Sequence, residues 1–249
     1  MTTPRLEPAQ DGRSLPVGVI GGVGPQATAY FLDMVVRLTV AGRDQDHLDL
    51  VVFNHATIPD RTAFILGTSS DDPGAVMARD AQRLERFGVS FLVVPCNTAH
   101  HFTDQVVSAV SVPVLSIIDE TVAEAARRTE GLRRVGVLAT TGTLVARVYD
   151  RALEAAGIET VRPSADDQAI VMEIIYDQVK AGAPVDLAAF TGVTDRLRAA
   201  GAQVVVLGCT ELSIVAADHG LLDLDRTLVD SLDVLARRTI ERAGHTVRA

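Results

Sequence analysis

The chain contains two cysteines, and each closes an apolar run that is followed at once by hydroxyl and amide residues. Phe91-Leu92-Val93-Val94-Pro95 leads into Cys96-Asn97-Thr98-Ala99-His100, and Val204-Val205-Val206-Leu207-Gly208 leads into Cys209-Thr210-Glu211. Both read as a thiol at a strand-to-helix turn, where free backbone N–H groups and the positive end of the helix dipole favour thiolate. About 2 kcal/mol of differential stabilisation brings a thiol from its ordinary pKa of about 8.5 to around 7. A free cysteine is also a good small hydrophobe for a core. Two in matched positions, each followed by Thr within two residues, point instead to chemistry. A thiolate and a thiol on opposite sides of one carbon can remove a proton from one face and return one to the other, which inverts a stereocentre without a cofactor.

The elements that position these thiols follow from the patterning. Short Val, Ile and Leu runs alternate with longer amphipathic segments, as expected of α/β architecture with parallel sheets flanked by helices. Val17-Gly18-Val19-Ile20-Gly21-Gly22 recurs as Val135-Gly136-Val137-Leu138-Ala139-Thr140, at nearly the offset that separates the cysteines. The chain is thus expected to form two similar domains related by pseudo-twofold symmetry, with the active site in the cleft between them. The first half predicts strands over 16–21, 48–54, 90–95 and 112–117, with helices over 25–40, 73–87 and 97–109. The second predicts strands over 133–138 and 203–207, with helices over 142–156, 165–180, 185–199 and onward from 211. A short strand near Leu228-Val229 is expected to return to the first sheet, followed by a helix over 231–242 crossing back onto that domain. The boundaries are then a flexible tail over 1–14, a first domain of 15–117 plus 229–249, and a second of 118–228. The stretch from 54 to 72 reads as a long loop of the kind that often carries function.

Ligands of open parallel sheets bind beyond the carboxyl ends of the strands, where Gly22, Asn54, Cys96, Thr140 and Cys209 all fall. Composition narrows the partners. A net charge of −9 argues against a nucleic-acid backbone. No apolar run approaches the roughly 18 residues of a membrane span, and the polar start of the chain does not read as a signal peptide. The expected compartment is therefore the cytoplasm, where thiols stay reduced. Neither cysteine has a second at ligand spacing, so no metal is expected.

Seven motifs together resemble the aspartate/glutamate racemase family, and most closely its cofactor-independent aspartate racemases. They are Gly21-Gly22-Val23-Gly24-Pro25, Phe53-Asn54-His55, Ile58-Pro59-Asp60-Arg61-Thr62, Pro95-Cys96-Asn97-Thr98-Ala99-His100, Ala139-Thr140-Thr141-Gly142-Thr143, Val179-Lys180-Ala181-Gly182 and Gly208-Cys209-Thr210-Glu211. The resemblance implies Cys96 and Cys209 as the acid/base pair and Arg61 and Lys180 as receivers of substrate carboxylates. It further implies that Asn97, Thr98, Thr140, Thr141 and Thr210 close hydrogen bonds around the amino acid, with no cofactor and a homodimeric assembly. Aspartate stands first as substrate and glutamate second. Arg61 suits the role physically, since its planar fork matches a carboxylate. Asn97, Thr98 and Thr210 are also ordinary helix caps, and Lys180 an ordinary residue at a helix end. His100 and His101 are expected to be packed or surface histidines.

Three other readings remain open at this level. Gly22-Val23-Gly24-Pro25-Gln26-Ala27 matches a dinucleotide-binding fingerprint and would make the chain an NAD(P)-dependent oxidoreductase, although Pro25 removes a backbone N–H where a pyrophosphate would sit. Relatives of the same fold include decarboxylases and a cis-trans isomerase. A catalytically idle amino-acid-binding protein could keep the same cleft.

Overall fold

The computed structural model describes residues 16–248; the expected N-terminal tail lies outside the described residues. The first half runs β1 (Val17–Gly21), α1 (Pro25–Leu38), β2 (Leu50–Asn54), α2 (Arg61–Ile65), α3 (Pro73–Arg86), β3 (Leu92–Val93), α4 (Thr103–Ala109), β4 (Val114–Leu115) and α5 (Ile117–Arg128). The second half runs β5 (Arg134–Leu138), α6 (Thr141–Val145), α7 (Val148–Ala155), β6 (Glu159–Val161), α8 (Ala165–Glu173), α9 (Leu187–Ala199), β7 (Val204–Leu207), α10 (Thr210–Asp218), α11 (Leu221–Leu224), β8 (Leu228–Asp230) and α12 (Ser231–Arg242). No helix among the described residues is long and apolar enough to cross a membrane.

Each half forms a four-stranded parallel sheet, in the orders β2-β1-β3-β4 and β6-β5-β7-β8. The identical order bears out two α/β units of one plan. In both sheets the chain moves outward from the first strand, returns to its other side for the third, and so creates a switch point between those two strands. Such points leave a crevice at the carboxyl ends. Cys96 follows β3 and Cys209 follows β7, so duplication alone brings each thiol to the crevice of its own sheet. One hydrophobic core then joins the halves. Val17, Val19 and Val93 of the first sheet share it with Val135, Val137 and Val206 of the second, through Phe31, Ile117 and Leu235 on α1, α5 and α12.

Several elements depart from the sequence expectation. The strand at 228–230 pairs in parallel with β7, Val205 facing Leu228 and Val206 facing Val229, and does not return to the first sheet. It completes the second sheet as β4 completes the first, reached through the crossover of α10. The helix after it does cross: α12 packs on both α1 and α5. The span 142–156 divides into α6 and α7 because Arg147 adopts a left-handed φ of 55° and redirects the chain. After Glu173 the helix widens into a π turn over Ile174–Val179, with the Lys180 amide donating to the Ile175 carbonyl five residues back at 3.1 Å. The segment after Cys96 begins as a 3-10 turn, Thr98–Phe102, before α4.

Candidate active site

One cleft between the two halves is lined by both cysteines, together with Val23, Asp60, Arg61, Thr62, Asn97, Thr98, Thr140, Tyr176, Lys180, Thr210 and Glu211. Its open volume is about 20 Å³, room for about one water molecule. A larger cavity of about 810 Å³ lies among α1, α5, α10 and α12, but neither thiol reaches it. The two thiols meet only in the small cleft among the described cavities.

Arg61 opens α2, the short helix inside the stretch read as a loop, whose start is capped by Asp60 accepting from the Ala63 amide at 2.7 Å. Its Nη1 donates to the carbonyls of Ile58 (3.3 Å) and Pro59 (3.0 Å), which fixes the guanidinium. Its buried Nε has no partner among the described residues. A buried donor left open is costly unless a ligand completes it. Across the cleft, the π turn carries Tyr176 and Lys180 to the site, and Tyr176 reaches back to Asp60 at 3.4 Å. Extra residues in a helical turn re-aim side chains, a device frequent at functional sites.

Four hydroxyls close the cleft from both sides. Thr98, Thr140 and Thr143 bond mutually at 2.8 to 3.0 Å, and Thr62 donates to Thr140 at 3.3 Å. Gly142 lets α2 come this close, since a Cβ there would lie 2.9 Å from the Thr62 Cα. Asn97 also lines the cleft, but its amide is already engaged: Oδ1 accepts from the Tyr149 hydroxyl at 2.6 Å and Nδ2 donates to Ser231 Oγ at 3.0 Å. Ser231 in turn donates to the Leu207 carbonyl at 2.7 Å, so Asn97 ties the Cys96 turn to the Cys209 strand.

The two thiols have unlike surroundings. Cys209 Sγ donates to Glu211 Oε2 at 2.9 Å, while Glu211 Oε1 is ion-paired with Lys180. Burial pushes the Cys209 thiol well above its usual range, the Glu211 charge and hydrogen bond add to this, and Lys180 opposes it. The Lys180 ammonium is itself held above its ordinary value: burial works against its charge, but Glu211 and then the Cys209 sulfur outweigh that cost. On the other side, the Cys96 carbonyl accepts from His100 Nδ1 at 2.9 Å, and His100 Nε2 accepts from the Ile117 amide at 3.2 Å. Those two bonds fix the neutral tautomer, and burial lowers the imidazole pKa accordingly. His100 thus braces the Cys96 turn, a role that its sequence position did not disclose.

Of the residues singled out in the sequence, Cys96, Cys209, Arg61, Lys180, Asn97, Thr98, Thr140 and Thr210 meet in this cleft, whereas Thr141, Asn54 and Gly22 do not line it. The Thr141 hydroxyl accepts from Gln168 at 3.2 Å, toward α8. Asn54 ends the edge strand β2, is exposed, and lines a separate hollow with His55 and Asp80. Gly22, with φ 83°, has the His55 backbone where a Cβ would go, 2.2 Å away. The glycine loop is therefore filled by the chain's own peptide rather than shaped around a pyrophosphate. Gly24, at φ 119°, brings the loop over Glu211, whose Oε1 would be 3.2 Å from a Cβ. Thr62 and Glu211, members of the quoted motifs, also line the cleft, Thr143 supports it through Thr98 and Thr140, and Tyr176 is the one lining residue that the sequence left unmarked.

The fold and the sequence are similar to those of known proteins. The Picrophilus torridus aspartate racemase structure superposes with a TM-score of 0.77 at 28% identity, covering 94% of this chain and 96% of that one. The broad specificity amino-acid racemase RacX of Bacillus subtilis is 26% identical over 230 residues, 90% of this chain and 96% of its own. A glutamate racemase from Deinococcus radiodurans is 30% identical over 234 residues, 91% of this chain and 74% of its own. The family model described as Asp/Glu/Hydantoin racemase matches residues 20–239, and the chain belongs to that family.

Proposed function

We propose that the protein racemises an acidic amino acid, aspartate first and glutamate second, by proton transfer between Cys96 and Cys209 without a cofactor. The observation that carries this is the convergence of both free thiols on one closed cleft that also holds one guanidinium and one ammonium. Arg61 receives one carboxylate on its open Nε, and Lys180 attracts the other. The hydroxyls of Thr98, Thr140 and Thr210 hold the remaining polar groups. One sulfur, as thiolate, takes the α-proton from its face of the substrate, and the other, as thiol, gives a proton to the opposite face. Reversal exchanges the two roles. Acid/base groups placed in this way contribute about 10²- to 10⁴-fold each. Both thiols work free, in a reducing cytosol, and the assembly is a homodimer.

Incubation with L-aspartate and with L-glutamate in deuterated water, followed by chiral chromatography and NMR, tests activity and mechanism together. The expected result is D-enantiomer carrying deuterium at the α-carbon. Cys96→Ala and Cys209→Ala should each abolish racemisation, while the single remaining thiol exchanges the α-proton of one enantiomer only. Full racemisation by both variants would defeat the two-base scheme.

A further inference from the structure

Asp80 occupies a position that helix patterning reserves for apolar side chains. It lies on the buried face of α3 among Met77, Ala81 and Leu84, and is 1% exposed. A carboxylate there is costly unless it is paired. Its Oδ1 accepts from Arg83 Nη1 at 2.8 Å and its Oδ2 from His55 Nδ1 at 2.6 Å. Arg83 lies one turn along the same helix, so its bond ties α3 only to itself. His55 follows β2, and its bond joins α3 to the segment that leads to Arg61. We propose, resting on the racemase reading above, that His55 is a positioning residue for Arg61: anchored to Asp80, it roots the turn that holds the guanidinium at the cleft.

Three contacts fix the near end of that turn. The His55 amide donates to the Gly21 carbonyl at 3.2 Å, its peptide fills the space where Gly22 would carry a Cβ, and its ring is bonded to Asp80. The His55 carbonyl then accepts from the Ile58 amide at 3.2 Å, which closes a tight turn whose middle residues, Ala56 and Thr57, are exposed. The far end of the turn presents the carbonyls of Ile58 and Pro59, and these are the two acceptors of Arg61 Nη1. A bond to the buried face of α3 is thus relayed through one turn to the guanidinium. The buried Ile58 side chain also holds the segment, but apolar packing is non-directional. The directional constraint toward α3 is the 2.6 Å bond. His55 does not line the cleft, so its effect on a substrate passes through Arg61.

Kinetics on L-aspartate separate positioning from mere stability. His55→Ala should raise KM about tenfold and keep kcat within about threefold, since a misplaced guanidinium loses ground-state and transition-state binding alike. His55→Asn, which carries an amide N–H where Nδ1 stood, should restore most of the affinity. In an Arg61→Ala background, His55→Ala should change KM by less than about twofold, because the group that it places is gone. A KM that rises by the same factor in both backgrounds, that does not rise, or that His55→Asn leaves as high as His55→Ala does, overturns the proposal. If His55→Ala does not fold, His55→Phe keeps an aromatic ring without the N–H donor and is held to the same outcomes. Wild-type protein that racemises neither aspartate nor glutamate overturns the racemase reading instead. The crystal structure of His55→Phe then decides on positioning: a guanidinium displaced from the Ile58 and Pro59 carbonyls supports it, and one still seated on both refutes it.

Discussion

Asn97→Ala separates framework from ligand contact at the heart of the cleft. The wild-type amide accepts from the Tyr149 hydroxyl at 2.6 Å and donates to Ser231 Oγ at 3.0 Å. Tyr149 is 1% exposed, and burial, ahead of the other influences on it, pushes its phenol upward, so it remains a donor in need of an acceptor. Truncation removes that 2.6 Å acceptor and leaves the hydroxyl to its weaker contacts with Thr121 and Ser231, at a cost of about 1–3 kcal/mol, and removes a second bond worth about 1 kcal/mol. Ser231 keeps its bond to the Leu207 carbonyl at 2.7 Å and adds no further penalty. The expected loss is about 2–4 kcal/mol, read from urea unfolding with m unchanged. Tyr149→Phe in the same background should return roughly 1 kcal/mol, because the double variant no longer buries a hydroxyl that has lost its best acceptor. A change in stability within about 0.5 kcal/mol, with KM for aspartate raised tenfold, would refute this reasoning. It would mean that the amide releases its partners and works on the substrate.

Two further outcomes are expected. Arg61→Ala should raise KM for dicarboxylates about 10- to 100-fold, the worth of a charged hydrogen bond, and affect neutral amino acids far less; equal losses for both would remove Arg61 from carboxylate recognition. Glu124, which gathers Arg127 and Arg128 of α5 and Arg238 of α12, has its carboxyl pulled from 4.5 down to about 2, first by the Arg127 hydrogen bond, against burial, and then by Arg128. Because the folded value lies below the unfolded one, its stabilisation is complete above about pH 4.5 and fades as pH falls toward about 2. Glu124→Gln should cost about 2 kcal/mol at pH 7, less than a fully buried pair because Arg127 is exposed. The deficit should narrow by about pH 3; a gap that is constant with pH would show that packing, not charge, is lost.

The carboxyl ends of the strands and the thiols are legible because each depends on local signals, an apolar run, a turn, a residue type, whereas Arg61 and Lys180 are marked by the family resemblance. What escaped depends on partners far away in the chain. Nothing near Asn97 announces Tyr149 or Ser231, and nothing in Asn54 says that β2 is an edge strand whose end faces solvent. Three helix errors have local causes of different kinds. Arg147 breaks the 142–156 helix without glycine or proline to mark it, and the π turn at Ile174–Val179 preserves an apolar face that still reads as regular helix. The helix α5 carries a local signal, Ser116 accepting from the Asp119 amide at 3.1 Å, yet it starts where the sequence reading ends a strand and sets a domain boundary. The strand β6 is three residues long and half exposed, too short for alternation to register.

Duplication also explains why the halves can differ where it matters. A racemase interconverts mirror images of equal free energy, so kcat/KM must be the same in both directions whatever the surroundings of each sulfur. Symmetry of outcome therefore places no demand for symmetry on the supports. Cys96 has a neutral histidine bracing its carbonyl, and Cys209 has a carboxylate on its S–H. Such divergence cannot favour one enantiomer at equilibrium. It can still make kcat and KM differ between the two enantiomers, provided that their ratio stays the same. The two halves repeat one strand-turn-helix plan, and the groups that brace their thiols need not match.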